Sequence, residues 1–242
     1  MPQLKSSFAR LSHADPSQLE SLAQRLRRVN FELGEGLRVL AVDRQPPALT
    51  IQVVSRRLRD LRHFDEAGGK FVSERGPVDR ELYFSIDLQS RIAATPGGRR
   101  DFGSLIELLR RAGGGSDLEA QPIVVDLAGW AQALLKQYDT AQLGQLVVDS
   151  LYQEPRLIGR YSAKSVDNRV DLAYIEKIAG QLRSLRLGFF YEGNRRSVEA
   201  RADATLSITS SEEEDAEHFF DEQRQLLMQH QLEPGSVENS II

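Results

Sequence analysis

One polar stretch of the chain, from Arg56 to Arg80, gathers positive side chains that could bind phosphate groups. Like-charged neighbours repel one another, so clustering them is unfavourable until an anion lies among them. The alternative is a solvated loop, because five carboxylates share the same stretch. The nucleic-acid contacts predicted in this stretch are Arg56, Arg57, Arg59, Arg62, Lys70 and Arg75.

Two shorter segments add candidate phosphate contacts. The loop from Tyr161 to Arg169 places Lys164 and Arg169 near an aromatic ring, a composition that suits backbone contact combined with base stacking. A plain surface loop is the alternative reading of that loop. Arg99 and Arg100 follow a Gly-Gly turn that lacks the Gly-Lys-Ser/Thr sequence of a phosphate-binding loop, so we include them only as surface contacts.

The sequence shows no recognisable catalytic set. The four histidines lie far apart, and there is no cysteine to act as nucleophile or zinc ligand. Asp87 ends a predicted strand, but no Glu-x-Lys triplet follows it to complete a magnesium-dependent nuclease site. A Gly-x-Ser-x-Gly nucleophile turn is also missing. We therefore predict no catalytic residues, no metal and no cofactor, although residues distant in sequence could still converge.

Composition restricts the class of protein further. The chain has 242 residues and a formal net charge of −4, which argues against a uniformly basic surface but permits a local basic groove. No apolar run approaches the roughly 18 residues that span a bilayer, and the N-terminal residues lack the apolar core of a secretory signal. Together with the absence of cysteine, this predicts a cytoplasmic protein with no membrane partner.

The elements that must position these residues follow a two-residue period. Hydrophobic and polar residues alternate from Leu185 to Ile208 on both sides of a Gly-Asn turn, which predicts a long two-stranded hairpin. The same pattern recurs from Leu82 to Thr95, and a helix follows in each case. The sequence therefore predicts an α+β fold of antiparallel hairpins or sheets, each followed by packed amphipathic helices, with a repeated hairpin–helix unit as one option.

Other segments complete the predicted organisation. Asp101 and Asp126 are expected to cap helices, and Ala141–Leu151 is expected to form another helix. The Arg56–Arg80 stretch fits a mobile basic loop or arm. A Gly-rich linker at 113–116 divides an N-terminal α+β part (1–112) from a C-terminal part (117–230) that ends in a helix over 212–230, and a flexible tail covers 231–242.

Taken in order, these elements resemble the RdgC family of recombination-associated proteins. The first points of similarity are Phe8–Ser12 before the Leu19–Val29 helix, and the Leu82–Asp87 and Arg91–Thr95 strands before the Leu105–Arg111 helix. The others are Pro122-Ile123 before Leu127-Ala128-Gly129-Trp130, and Ile158–Lys164 before the Leu172–Leu182 helix and Leu185–Phe190.

The resemblance implies a two-fold, ring-shaped dimer that encircles DNA without reading its sequence. Such a ring restrains a strand-exchange recombinase and catalyses nothing. By position, Lys164 would face the DNA. The chain is shorter than that family before the central hairpin, where the Arg56–Arg80 stretch takes a different form, and this departure affects the contacts that would close the ring.

We therefore expect a non-enzymatic, sequence-independent DNA-binding protein that is dimeric and modulates recombination or DNA metabolism. An alternative is a protein-interaction subunit of a larger bacterial assembly, such as an antiphage-defence or mobile-element system. A third reading is a metal-dependent nuclease whose ligands are scattered along the sequence.

Overall fold

The computed structural model describes residues 3–12, 16–45, 47–138, 140–149, 160–163, 175, 182–191, 194–210 and 216–232. Strands make up 53% of the structure and helices 24%, and the strands pair in antiparallel fashion. The predicted α+β fold of hairpin–helix units is therefore wrong. The error has a local cause, because segments expected to be loop or helix are strands.

The described residues form eleven strands and four helices. The strands are β1 (Gln3–Ser12), β2 (Gly36–Gln45), β3 (Ala48–Asp65), β4 (Lys70–Asp87), β5 (Ile92–Thr95), β6 (Glu119–Pro122), β7 (Gln142–Asp149), β8 (Arg160–Ala163), β9 (Leu182–Tyr191), β10 (Asn194–Arg201) and β11 (Thr205–Thr209). The helices are α1 (Pro16–Leu26), α2 (Asp101–Arg111), α3 (Leu127–Gln137) and α4 (Ala216–Gln229).

The chain divides into two compact units. The N-terminal unit comprises Ala9–Gln121, and the C-terminal unit comprises Met1–Phe8 together with Pro122–Ile242. Strand β1 runs through the division, so its two halves belong to different units. The predicted parts 1–112 and 117–230 stay predictions, and residues 233–242 of the predicted tail lie outside the described residues.

In the N-terminal unit, strands β2, β3, β4 and β5 pair in that order. Alternate residues of β3, namely Leu49, Ile51 and Val53, are fully buried and share one core with the apolar residues of α1 and α2. This alternation is what a sheet with one packed face requires. The unit therefore has a packed face beneath two helices and a second face without them.

The start of α2 differs from the prediction. Asp101 was expected to be the N-cap, but Arg100 occupies that position and makes no capping hydrogen bond through its side chain. Asp101 is the first helical residue, and its buried carboxylate accepts two hydrogen bonds from Arg80, at 2.7 and 2.8 Å. Arg80 competes successfully for this carboxylate because a guanidinium donates two parallel charge-assisted bonds.

In the C-terminal unit, strands β1, β11, β10, β9, β7 and β8 pair in that order. Helices α3 and α4 contact β9 and β11. Phe189 of β9 stacks on Tyr138 at a ring-centroid distance of 4.5 Å and contacts Phe219 of α4 edge-on at 5.6 Å. The predicted helix cap is confirmed at α3, where Asp126 accepts hydrogen bonds from the amides of Ala128 and Gly129.

Two predictions in this unit are wrong. The second strand of the predicted 185–208 hairpin is interrupted by a turn at residues 202–204, where Ala204 has a φ of +55°, so that β11 folds back on β10. Apolar and polar residues keep alternating through this turn, so the sequence pattern does not reveal it. Ala141–Leu151 was expected to be helical, but Gln142–Asp149 forms β7 and pairs with β9. Branched residues at 147 and 148 favour this extended form.

Some predicted elements fall where no structure is described. Of the predicted Leu172–Leu182 helix, only Ile175 and Leu182 are described, and Leu182 begins β9. The first residues of the predicted last helix (212–230), from 212 to 215, lie outside the described residues. Helix α4 itself forms, and its buried residues are Ala216, Phe219, Gln223 and Leu227.

Candidate nucleic-acid interface

The Arg56–Arg80 stretch forms part of two long strands. Strands β3 and β4 each contain 18 residues and pair continuously from Ala48 opposite Asp87 to Asp65 opposite Lys70. A loop was one of the two forms predicted for this stretch, and it is wrong; the structure has a β-hairpin arm. Residues 66–69 make the turn, in which Gly69 has a φ of +61° that favours glycine.

This hairpin extends beyond the rest of its sheet. Strand β2 begins at Gly36, which stands opposite Arg56, so β2 does not pair with β3 beyond Arg56. Strand β5 pairs with β4 only at residues 85–87. No residue from 57 to 81 is buried. We call residues 57–78 the arm. At roughly 3.3 Å per residue, the strand from Arg57 to the turn extends about 30 Å.

Pairing register divides the side chains of the arm between two faces. Directly opposite residues share a face, and successive residues alternate. The face that continues the buried face of the sheet carries Arg57, Arg59, Leu61, His63, Val72, Glu74 and Val78. The opposite face carries Leu58, Asp60, Arg62, Phe64, Phe71, Arg75 and Pro77.

At the base of the arm, Arg56 is engaged within the protein. It donates two hydrogen bonds to the carboxylate of Asp79, at 2.7 and 2.6 Å, and its guanidinium lies 4.6 Å from the centre of the Phe31 ring. The hydrogen bonds from Arg56 lower the pKa of Asp79, and those same bonds raise the pKa of Arg56. Among the predicted contacts that the structure describes, Arg56 is therefore the least available to a ligand.

The other predicted cations of this stretch have no such partner. Within the described part of the chain, no carboxylate lies within 4.0 Å of the charged groups of Arg57, Arg59, Arg62, Lys70 or Arg75. Asp60 stands opposite Arg75 in the strand register, and Asp65 stands opposite Lys70, yet neither forms an ion pair. All five cations are exposed. They line both faces of the arm and are free to contact an anion.

An aromatic pair marks the outer end of the arm. The rings of Phe64 and Phe71 meet edge-to-face with centroids 5.3 Å apart, and they are 51% and 68% exposed. Leu58 and Leu61 are also exposed. Sequence reasoning missed this pair. The available signal was a pair of aromatic residues at equal distances on either side of the Glu66–Gly69 segment, as a hairpin requires.

The remaining predicted contacts fall elsewhere. Arg99 and Arg100 are exposed in the turn before α2, and the Arg80–Asp101 ion pair places this turn beside the base of the arm. Lys164 and Arg169 lie outside the described residues. The structure thus brings together five of the ten predicted residues on the arm itself.

Two observations concern metal binding and acid–base chemistry near the arm. The described residues contain no group of three or more His, Asp or Glu side chains that could hold a metal ion. Hydrogen bonds from Tyr83 and Gln52 lower the pKa of Glu81, and the bond to Glu81 raises the pKa of Tyr83. Both shifts move these groups away from neutrality, whereas a general acid or base works best with a pKa near the operating pH.

The chain matches no protein-family model, and no curated protein shows significant similarity to it. The resemblance to the RdgC family accordingly stays a prediction from the order of elements. No helix in the described residues is long and apolar enough to cross a membrane.

Proposed function

We propose that this protein binds double-stranded DNA without sequence preference through the arm, and that it does so without catalysing a reaction. The observation that carries the proposal is a projecting two-stranded ribbon with five exposed cations that have no carboxylate partner among the described residues. The major groove of B-form DNA is wide enough to admit a two-stranded β-ribbon.

Charge on both faces of the arm suits contact with both walls of a groove. Arg57 and Arg59 project from one face, and Arg62 and Arg75 project from the other. A ribbon inserted in a groove has phosphates on either side, so contacts on both faces are satisfied together. Phosphate contacts fix position without reading bases, which is why we expect little sequence preference.

The tip of the arm adds an apolar contact. In the major groove, apolar side chains such as Phe contact the methyl group of thymine, and the exposed Phe64–Phe71 pair has the required character. Such a contact is independent of charge and persists at high salt. We expect it to contribute to affinity less than the cations do.

Charge reversal on the arm tests the proposal. Binding of the full chain to a 30-base-pair duplex is followed by fluorescence anisotropy over a series of salt concentrations. The double variant Arg57→Glu, Arg59→Glu is expected to bind at least tenfold more weakly. The slope of log K against log salt concentration is expected to become shallower by about two, since each phosphate contact contributes about 0.9 to this slope. The matched control is Arg28→Glu with Arg38→Glu, two exposed arginines of the same unit outside the arm.

Removal of the arm provides a second test. Residues 58–77 are replaced by an Asn-Gly turn that joins Arg57 to Val78, which stand opposite each other. In an antiparallel ladder, hydrogen-bonded and non-hydrogen-bonded residue pairs alternate. The Arg57–Val78 pair lies eight positions, an even number, from the Asp65–Lys70 pair that closes the native turn. The new turn therefore closes a pair of the same type as the native one. Loss of duplex binding with an unchanged melting temperature is expected. Wild-type affinity in both the charge-reversal and the shortened variant would overturn the proposal.

Exposed apolar side chains on the arm favour a second candidate, a subunit of a larger protein assembly. Leu58, Leu61, Phe64 and Phe71 are each at least 37% exposed, and both arm edges have unpaired backbone groups that could accept another strand. Sedimentation velocity of the purified chain tests the homodimer form of this idea. Dimerisation that Leu61→Ser abolishes, together with no DNA affinity, would favour the assembly over DNA binding.

The order of elements that resembles the RdgC family supports the same class of function. It adds a homodimer and a role in recombination as further predictions, while the predicted cytoplasmic location rests on composition. The sedimentation experiment checks the first of these directly.

A further inference from the structure

The C-terminal unit has a second cationic surface, on the face of its sheet opposite α3 and α4. Register between β9 and β10 determines which residues share this face, because opposite residues point the same way. The opposed pairs on this face are Arg186 and Glu199, Gly188 and Ser197, and Phe190 and Arg195. We call these six residues the β9–β10 surface.

A shallow depression lies in the middle of this surface. Gly144 and Gly188 contribute no side chains, and Arg186, Arg195 and Ser197 border the space that they leave. A Cβ atom built at Gly188 would have no neighbour closer than 3.8 Å, so the depression is open above this glycine. Its polar rim and small floor suit a compact anion.

Local hydrogen bonds leave positive charge in the depression. Glu199 stands opposite Arg186 in the register, yet its carboxylate bonds to Nε of Arg201 at 3.1 Å. Arg186 instead donates from Nη2 to Oγ of Ser197 at 3.3 Å, which directs its guanidinium towards the depression. Arg195 is exposed and has no ion pair among the described residues. The β9–β10 surface thus holds two available arginines and one carboxylate that is already occupied.

An exposed aromatic ring adjoins these arginines. Phe190 is 56% exposed and stands directly opposite Arg195. Its backbone is held in place, because Oγ1 of Thr140 lies 3.2 Å from both its amide nitrogen and its carbonyl oxygen. A phenyl ring presented to solvent beside cations offers a flat surface for a nucleobase and a charge for its phosphate.

We infer that the β9–β10 surface binds single-stranded nucleic acid, with a base stacked on Phe190 and the flanking phosphates at Arg195 and Arg186. A stacked base must be unpaired, so a duplex does not satisfy this surface. The inference goes beyond the proposed duplex binding, and it rests on the other unit of the molecule.

Anisotropy of fluorescein-labelled oligo-dT of 15 nucleotides on the full chain tests the inference. Phe190→Ala is expected to weaken binding about tenfold or more, whereas Phe190→Trp retains it because the larger ring still stacks. Leu232→Ala, which removes an exposed apolar side chain of the same unit, is the control and should bind as wild type. Oligo-U of the same length distinguishes DNA from RNA.

Charge variants test the phosphate contacts separately. The double variant Arg186→Ala, Arg195→Ala is expected to weaken oligo-dT binding. The slope of log K against log salt concentration should become shallower by about 1.4, since each phosphate contact with a single strand contributes about 0.7. Arg224→Ala is the control, because this arginine lies on α4 and pairs with Asp221. Melting temperatures of all variants establish that they are folded.

The outcomes separate this inference from the proposed function. Oligo-dT binding that persists in the arm-shortened variant and is lost in Phe190→Ala supports the inference, whatever the duplex experiments show. Oligo-dT binding that is lost on arm shortening but unchanged in Phe190→Ala would overturn it and leave duplex binding by the arm intact. Failure of the wild-type chain to bind oligo-dT at low salt would also overturn it.

Discussion

The β3–β4 and β9–β10 hairpins share an alternating pattern but have different surroundings. In β9–β10, every second residue from Leu185 to Phe189 is buried, since neighbouring strands flank the hairpin and helices cover one face. In β3–β4, the corresponding face is buried at Leu49, Ile51 and Val53. Farther along β3, the same face carries the exposed residues Arg57 and Arg59. The arm begins where apolar residues give way to arginine on one continuous face.

This difference shows what an exposed hairpin requires. An isolated two-stranded hairpin is only marginally stable in water, and the arm is stable because its base is part of a packed sheet. Its outer half gains little from burial, so its residues are under weak constraint from folding. These positions carry the exposed cations and aromatic rings on which the proposed DNA contact depends.

Truncation of matched aromatic residues should show the largest contrast between the two hairpins. Phe189→Ala is expected to lower the free energy of unfolding by about 3–5 kcal/mol, because it leaves a cavity beside Tyr138 and Phe219. Phe71→Ala, at the exposed tip of the arm, is expected to change it by less than about 0.5 kcal/mol. Urea denaturation measures both. Equal losses would mean that the arm packs against another part of the protein in solution.

The ion pair at the base of the arm should show an intermediate effect. Arg80→Ala leaves the carboxylate of Asp101 buried without its guanidinium partner, which costs about 1–3 kcal/mol. Arg99→Ala removes an exposed arginine nearby and is expected to have no measurable effect on stability. Thermal denaturation compares the two variants. An Arg80→Ala protein as stable as wild type would show that this pair does not anchor the arm to α2.

The smallest effect concerns acid sensitivity. Because Arg56 lowers the pKa of Asp79 in the folded state, the unfolded chain takes up this proton first as pH falls. The stability that the Arg56–Asp79 pair contributes is therefore complete above the unfolded pKa and is lost below about pH 4. Asp79→Asn is expected to be slightly less stable at pH 7 and to lose less stability on acidification. Melting temperatures between pH 7 and pH 3 check this, and parallel curves for the two proteins would contradict it.

Sequence patterns predicted local pairing well where alternation ended at a recognisable turn. The Leu82–Asp87 strand does pair with the strand that precedes α2, and the apolar stripe of α2 is buried as its spacing indicates. Prediction failed where polar residues interrupted the pattern. The arm contains no buried residue, so its strands lack the hydrophobic alternation by which a half-buried strand is recognised.

Errors at β7 and β11 have different causes. Residues 142–149 contain apolar residues at spacings that fit either a helix or a strand, and pairing with β9 decided the outcome. At β11, alternation alone does not distinguish one long strand from two strands joined by a three-residue turn. The left-handed conformation of Ala204 is unusual for a residue other than glycine, so the sequence contained no warning of it.

The sequence by itself determined that cations cluster between residues 56 and 80, that cysteine is absent, and which short segments alternate between apolar and polar residues. Tertiary structure alone decided that the cluster lies on a projecting arm, that Arg56 and Arg80 are occupied by carboxylates, and that Phe190 stands beside Arg195. The physical reason is that alternation and charge are properties of neighbouring residues, whereas exposure and pairing depend on strands and helices that are remote in sequence and meet only in the folded chain.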